Sequence, residues 1–168
     1  MSGSDGSSTK SRAPRRPEPS AYQRALGLLV RREHSRRELK RKLGARGVSA
    51  EEADTALSVL ARQDFQNDQR FAEALARSRA SAGYGPVRIR AELSSHGLDR
   101  SSIEAALEGV VHDWLASARA LAQRRFFPNC LGDALQRRKA VDFLLRRGFD
   151  QRTARSAIEM PAEDDMSD

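Results

Sequence analysis

A glycine-centred pattern that returns three times constrains this chain more than any other feature. Gly47, Gly97 and Gly148 stand at intervals of 50 and then 51 residues. Upstream of each lies an apolar pair at i, i+4: Leu39/Leu43, Ile89/Leu93 and Ala140/Leu144. An apolar residue follows each glycine (Val48, Leu98, Phe149), and then an N-cap type (Ser49, Asp99, Asp150). Beyond the caps the stripes Ala53-Ala56-Leu57, Ile103-Ala106-Leu107 and Ala154-Ala157-Ile158 repeat the i, i+3, i+4 spacing of an amphipathic helix. Glycine just past a helix end and Ser or Asp two residues later read as stop and restart signals. Ser49 and Glu52 have the spacing of a capping box.

A further helical stretch precedes each pair, over 21–34, 68–82 and 112–126, carrying Tyr22/Ala25/Leu26/Leu29, Phe71/Ala74/Leu75 and Trp114/Ala118/Leu121/Ala122. Gly83, Gly85, Pro86 and Pro128 fall in the connections, and no segment alternates as a strand does. The expected fold is all-α: about nine helices in three tandem three-helix repeats, stacked into an elongated, curved body because each unit is too small to bury its face alone. The units read as 21–67, 68–111 and 112–160. Residues 1–20, rich in Ser, Pro and Gly, and the acidic 161–168 are expected to be disordered, since neither can bury enough apolar surface to order itself.

Catalysis finds no support. His34, His96 and His112 are scattered and suggest no metal site, and His96, on the side of Ile89 and Leu93, reads as a partly buried structural histidine. Cys130 is the only cysteine, which excludes an intrachain disulfide and fits a reducing compartment; it reads as a packing or surface thiol. Gly83-Tyr84-Gly85-Pro86 lacks the ending of a phosphate-binding loop and reads as a turn with Gly85 at an N-cap and Pro86 at N1. No cofactor is expected. The chain has no apolar run long enough to span a membrane and no secretory signal, so a cytoplasmic protein is expected, and with no heptad or large apolar face demanding a dimer, a monomer.

Charge points elsewhere. Net charge is +7, and 26 of the 30 basic residues are arginine. Residues 113–160 carry +5, whereas 161–168 carry −4. On a helical wheel Arg36, Arg37, Lys40 and Arg41 form one arc beside the Leu39/Leu43 stripe. Arg138, Lys139 and Arg146 share a polar face interrupted by Asp142, with Arg124, Arg125 and Arg147 close by, and the middle unit offers Arg88 and Arg90. These nine cations (Arg36, Arg37, Lys40, Arg41, Arg88, Arg90, Arg138, Lys139, Arg146) are the candidate contacts for a polyanion, either nucleic acid or an acidic protein surface. Aromatic residues make up only 5% of the chain, which argues against a base-stacking single-strand platform and favours contact with the phosphate backbone.

The segments Ser35-Arg36-Arg37-Glu38-Leu39-Lys40-Arg41-Lys42-Leu43, Asp68-Gln69-Arg70-Phe71-Ala72 and Gly83-Tyr84-Gly85-Pro86-Val87-Arg88-Ile89-Arg90-Ala91-Glu92-Leu93, with Gly97, resemble the bacterial RecX regulatory proteins. The resemblance covers about 22–160 and is strongest from Ser35 to Gly97; the third unit diverges and the N-terminal extension is outside the pattern. It implies a non-enzymatic protein that lies in the groove of the RecA–DNA filament and inhibits ATP hydrolysis, strand exchange and co-protease activity, with direct DNA binding in many members. Two competing readings are an architectural DNA-binding protein built of helix-turn-helix units and a helical scaffold for an acidic protein partner.

Overall fold

The computed structural model describes residues 18–126 and 133–159. Pro128, Cys130, residues 1–17 and residues 160–168 lie outside them, and with them the expectations for the thiol, most of the polar extension and the acidic tail. Among the described residues there are nine helices and no strand: α1 (Ala21–Leu29), α2 (Arg36–Gly44), α3 (Ala50–Arg62), α4 (Asp68–Ser81), α5 (Pro86–Ser95), α6 (Arg100–Glu108), α7 (Trp114–Phe126), α8 (Ala134–Arg146) and α9 (Gln151–Ser156). Helix packs on helix within the triples α1–α3, α4–α6 and α7–α9. None of these helices is long and apolar enough to cross a membrane.

Each triple owns a core. Leu39, Leu43, Leu57, Leu60 and Ala25 are closed off from solvent in the first; Phe71, Ile89, Leu93, Ile103 and Leu107 fill the second; Leu144, Phe149, Ala154 and Ile158 fill the third. Apart from Leu60, these residues occupy positions that the spacing marks; on α4, however, the buried face is Phe71, Ala72, Ala76 and Ala80, and Ala74 and Leu75 of the expected stripe are only half-buried. The protein's one tryptophan, Trp114, packs against both the second and third cores. Burying a Leu or Phe side chain stabilises by about 1.5–3 kcal/mol relative to exposure, and these small units depend on a handful of such residues.

Helix starts follow the polar signals. Ser49, Asp99 and Asp150 accept hydrogen bonds from the backbone N–H groups of Glu52, Ser102 and Thr153. A reciprocal capping box forms at Ser20–Gln23. At Ser49 the Glu52 carboxylate instead meets the Ser49 hydroxyl at 3.5 Å, so the box expected there is half made. The first helix stops at Leu29 rather than running to His34, because residues after it turn to carry His34 into a buried position.

What the pattern does not reveal is how the units join. The N–H of Gly85, the N-cap of α5, donates to the Arg147 carbonyl at 2.9 Å, and the Val87 N–H donates to the Gly148 carbonyl at 3.0 Å. The start of α5 thus sits directly against the end of α8, and donors and acceptors that a helix leaves unpaired at its ends satisfy one another across the joint. Gly148 has φ +87°, and a Cβ there would come within 2.6 Å of the Arg88 nitrogen; a Cβ on Gly85 would collide with the Gly148 carbonyl. Both glycines are required by close backbone approach.

The joint between the first and second units has the same plan in side chains. Ser35, the N-cap of α2, has its Oγ 2.9 Å from His96 Nδ1 at the C-cap of α5. His96 also packs on Phe71 with ring centroids 4.7 Å apart. The Arg36 N–H donates to Asp68 at 2.8 Å, and Arg70 bonds Glu33 at 2.9 Å. The middle helices therefore meet end against end, α8 on α5 and α5 on α2.

Candidate polyanion-binding surface

All nine candidate cations lie on the middle helices α2, α5 and α8, so the end-to-end joints bring them into one series. Their availability differs sharply. On α2, Lys40 Nζ lies 2.6 Å from Asp54 Oδ2, and Arg36 bonds the Ser58 hydroxyl at 3.1 Å and stands 3.7 Å from the other Asp54 oxygen. The hydrogen bond from Lys40 lowers the Asp54 pKa from its ordinary value, as expected for a carboxylate held between cations. Two of the four cations on the arc are thereby partly neutralised by α3. Arg37 and Arg41 are exposed and make no ion pair among the described residues, and Arg37 leans over Gly97 at the joint.

On α5 the two candidates part ways. Arg90 grips Glu104 with both Nε and Nη2, at 2.8 and 3.0 Å, and is committed to holding α5 on α6. Arg79 and Glu92 form a similar two-point pair at 2.8 and 2.7 Å. Arg88 instead lies over the Tyr84 ring, 4.7 Å from its centroid. On α8, Arg138, Lys139 and Arg146 are all exposed without an ion pair among the described residues.

Two further features emerge in the fold. The first is a row in which guanidinium groups alternate with rings. Arg88 and Arg147 flank Tyr84, at 4.7 and 5.2 Å; Arg147 also meets Phe143 at 5.3 Å, and Arg125 reaches Phe143 at 5.1 Å and Phe126 at 5.9 Å. In sequence Arg125 and Arg147 read only as neighbouring charge, because α8 brings Phe143 to Arg125 and the joint brings Tyr84 to Arg147. The second is a buried polar cluster in the first unit. Glu38, nearly closed off, lies 2.6 Å from Arg32, 2.9 Å from His34 Nδ1 and 3.0 Å from Lys42. The i, i+4 spacing of His34 and Glu38 was present in the sequence, contrary to the reading of the histidines as isolated. Burial works against the Glu38 charge, but hydrogen bonds from Arg32, His34 and Lys42 outweigh it and hold the carboxyl at about 2. Burial lowers the pKa of His34, so the neutral ring is favoured.

His96 is half-buried at a joint, as its place on the apolar side suggests, and His112 contacts Ser117 at 2.8 Å and stacks edge-on against Trp114. Among the described residues no group of three or more His, Cys, Asp or Glu side chains is placed to hold a metal ion. The surface offers fixed and mobile cations. It can bind repeating anions.

Comparisons with known proteins agree with this architecture. Family models for the first, second and third three-helix domains of RecX match residues 21–60, 67–107 and 113–158. A "Regulatory protein RecX" from Stenotrophomonas maltophilia (strain R551-3) is 51% identical over 155 residues, covering 92% of this chain and 94% of the relative. One from Xanthomonas axonopodis pv. citri (strain 306) is 51% identical over 153 residues, covering 91% and 94%. Among solved structures, the crystal structure of RecX from Lactobacillus salivarius superposes with a TM-score of 0.70 at 23% identity, covering 82% of this chain and 92% of that one, a likeness of fold. A second, a crystal structure of regulatory protein RecX, gives 0.69 at 24% identity and covers 79% and 67%. With three jointed helical units, cations along the middle helices and family matches running through all three, the chain belongs to the RecX family of regulatory proteins.

Proposed function

We propose that this protein is a non-enzymatic, monomeric regulator that binds the RecA recombinase filament in the cytoplasm and inhibits its ATPase, strand-exchange and co-protease activities, so tempering recombination, DNA repair and the SOS response. The observation that carries the reading is the family match across every unit, from residue 21 to residue 158. The geometry supports it: three small bundles in series give a long body whose contacts with protein walls and DNA add through effective concentration rather than through one large interface. The free cations, Arg37 and Arg41 in the first unit and Arg138, Lys139 and Arg146 in the third, reach DNA phosphates while paired arginines such as Arg90 hold helices together within a unit.

The test is RecA's single-stranded-DNA-dependent ATPase with this protein titrated from well below equimolar. Inhibition at substoichiometric ratios supports action on the filament. Inhibition that begins only once the protein saturates the DNA points to competition for phosphate and to the architectural DNA-binding reading. No effect at any ratio refutes the regulatory reading.

A further inference from the structure

We infer that the alternating arginine–aromatic row across the joint between the second and third units is a phosphate-binding site for a single nucleic-acid strand, an inference that rests on the proposed DNA contact and locates it. The argument begins with how this protein restrains its arginines. In the first two units Arg32, Arg36, Arg70, Arg79 and Arg90 are held by carboxylates of the same chain, which restrains them and offsets part of their charge. Arg88, Arg147 and Arg125 are restrained by Tyr84, Phe143 and Phe126 instead, and none has a carboxylate at ion-pair distance among the described residues. A ring orients a guanidinium without neutralising it. Arg147 also donates from Nη1 to the Ala82 carbonyl at 3.4 Å, whereas the exposed guanidiniums of Arg88 and Arg125 present N–H groups to a ligand, and such edges match two oxygens of a phosphate.

Placement favours a strand over an isolated anion. The three guanidiniums follow one another with a ring between each, and Arg88 and Arg125 at the two ends of the row are exposed. Exposed Arg124 and Arg146 belong to the same helices as Arg125 and Arg147 or to their ends. A regular row of permanent cations is matched by a backbone that repeats its charge, and the ordering cost on the protein side has already been met by stacking. The row also spans two units: Arg88 and Tyr84 come from the second, Arg147, Phe143 and Arg125 from the third. The site exists only while Gly85 and Gly148 hold the joint closed, so a bound strand clasps that joint.

The experiment measures binding of the full chain to a fluorescent 30-mer oligothymidylate by anisotropy, from 50 to 200 mM KCl, without RecA. The Arg88→Ala/Arg125→Ala variant should bind at least about tenfold more weakly at low salt. Its slope of log affinity against log salt should shrink by about 1.4, from about 0.7 per lost contact on a single strand. Arg125→Ala alone, away from the α5–α8 backbone contacts, should show half that change and an unaltered melting temperature, which separates lost contact from lost folding. Arg125→Lys keeps a charge without the stacked fork and should retain the slope while binding more weakly. An unchanged slope in folded Arg125→Ala and in the double variant overturns the inference. So does tighter binding of poly-glutamate with the same arginine dependence, which would assign the row to an acidic protein. The RecA ATPase titration is read separately: wild type that inhibits RecA while the row proves silent leaves the regulatory reading standing, and the converse removes that reading alone.

Discussion

The glycine joints allow a quantitative test in which conformational cost and steric cost fall on different residues. Gly47 has φ +80° with open space where a Cβ would stand, so Gly47→Ala adds the left-handed penalty alone, about 1–2 kcal/mol. Gly85 has φ −81°, comfortable for alanine, but its Cβ would strike the Gly148 carbonyl. Gly85→Ala must therefore open the joint and give up the Gly85–Arg147 and Val87–Gly148 hydrogen bonds, at about 0.5–1.5 kcal/mol each. Gly148→Ala carries both burdens, roughly 2–5 kcal/mol on simple addition. Urea unfolding followed by far-ultraviolet circular dichroism and by Trp114 emission measures all three. Because stability in a repeat array is a sum of unit and interface terms, Gly85→Ala and Gly148→Ala should also separate the Trp114 transition from the global one, whereas Gly47→Ala should leave the two coincident. Equal losses at Gly47 and Gly148, or a Gly85→Ala protein within about 0.5 kcal/mol of wild type with coincident transitions, would refute the end-to-end joint.

Leu43→Ala and Leu93→Ala, each emptying a fully buried position, should each cost roughly 2–5 kcal/mol by chemical denaturation; a loss below about 1 kcal/mol would mean that the site is not core. Glu38 is held at about 2 against an ordinary 4.5, so its contribution, of order 3 kcal/mol, is present above pH 4.5 and is lost as pH falls from there towards 2. His34, lowered from 6.5, begins to erode stability below that pH because the unfolded chain takes up the proton first. Glu38→Gln should be less stable at pH 7 and flatter between pH 4.5 and 2 by urea titration at each pH. On α2, Arg37→Ala/Arg41→Ala should shrink the salt slope of duplex binding by about 1.8, while Arg36→Ala/Lys40→Ala, whose cations Asp54 already engages, should change it less.

Local physics explains which parts of this structure the residues announce. Leu39 and Leu43, Ile89 and Leu93, and the caps Ser49, Asp99 and Asp150 act within a turn or two of themselves, so their spacing is enough to read helices, ends and buried faces. Gly85 shows the limit. Its neighbours Tyr84 and Pro86 describe a turn and an N1 proline, and nothing nearby signals that Gly148 must approach it. The cations fail for the same reason: Lys40 looks free until α3 carries Asp54 to it, and Arg90 until α6 brings Glu104. Arg125 and Arg147 look like ordinary surface charge until the fold sets Phe143 between them and Tyr84 beside Arg147. The His34–Glu38 pair is the exception: its four-residue spacing is legible in the sequence itself.

The end-on contacts of α8 with α5 and of α5 with α2 give the molecule an electrical direction. At each joint the C-terminus of one helix meets the N-terminus of the next, so the partial charges there offset one another and survive at the series' outer ends: about −0.5 beyond the C-terminus of α2 and about +0.5 at the N-terminus of α8. Arg41, Lys42 and Arg46 gather at the negative end and Asp133 caps the positive one. The body is thus polar as well as long, and its two orientations along any track that itself has a direction are unequal in energy.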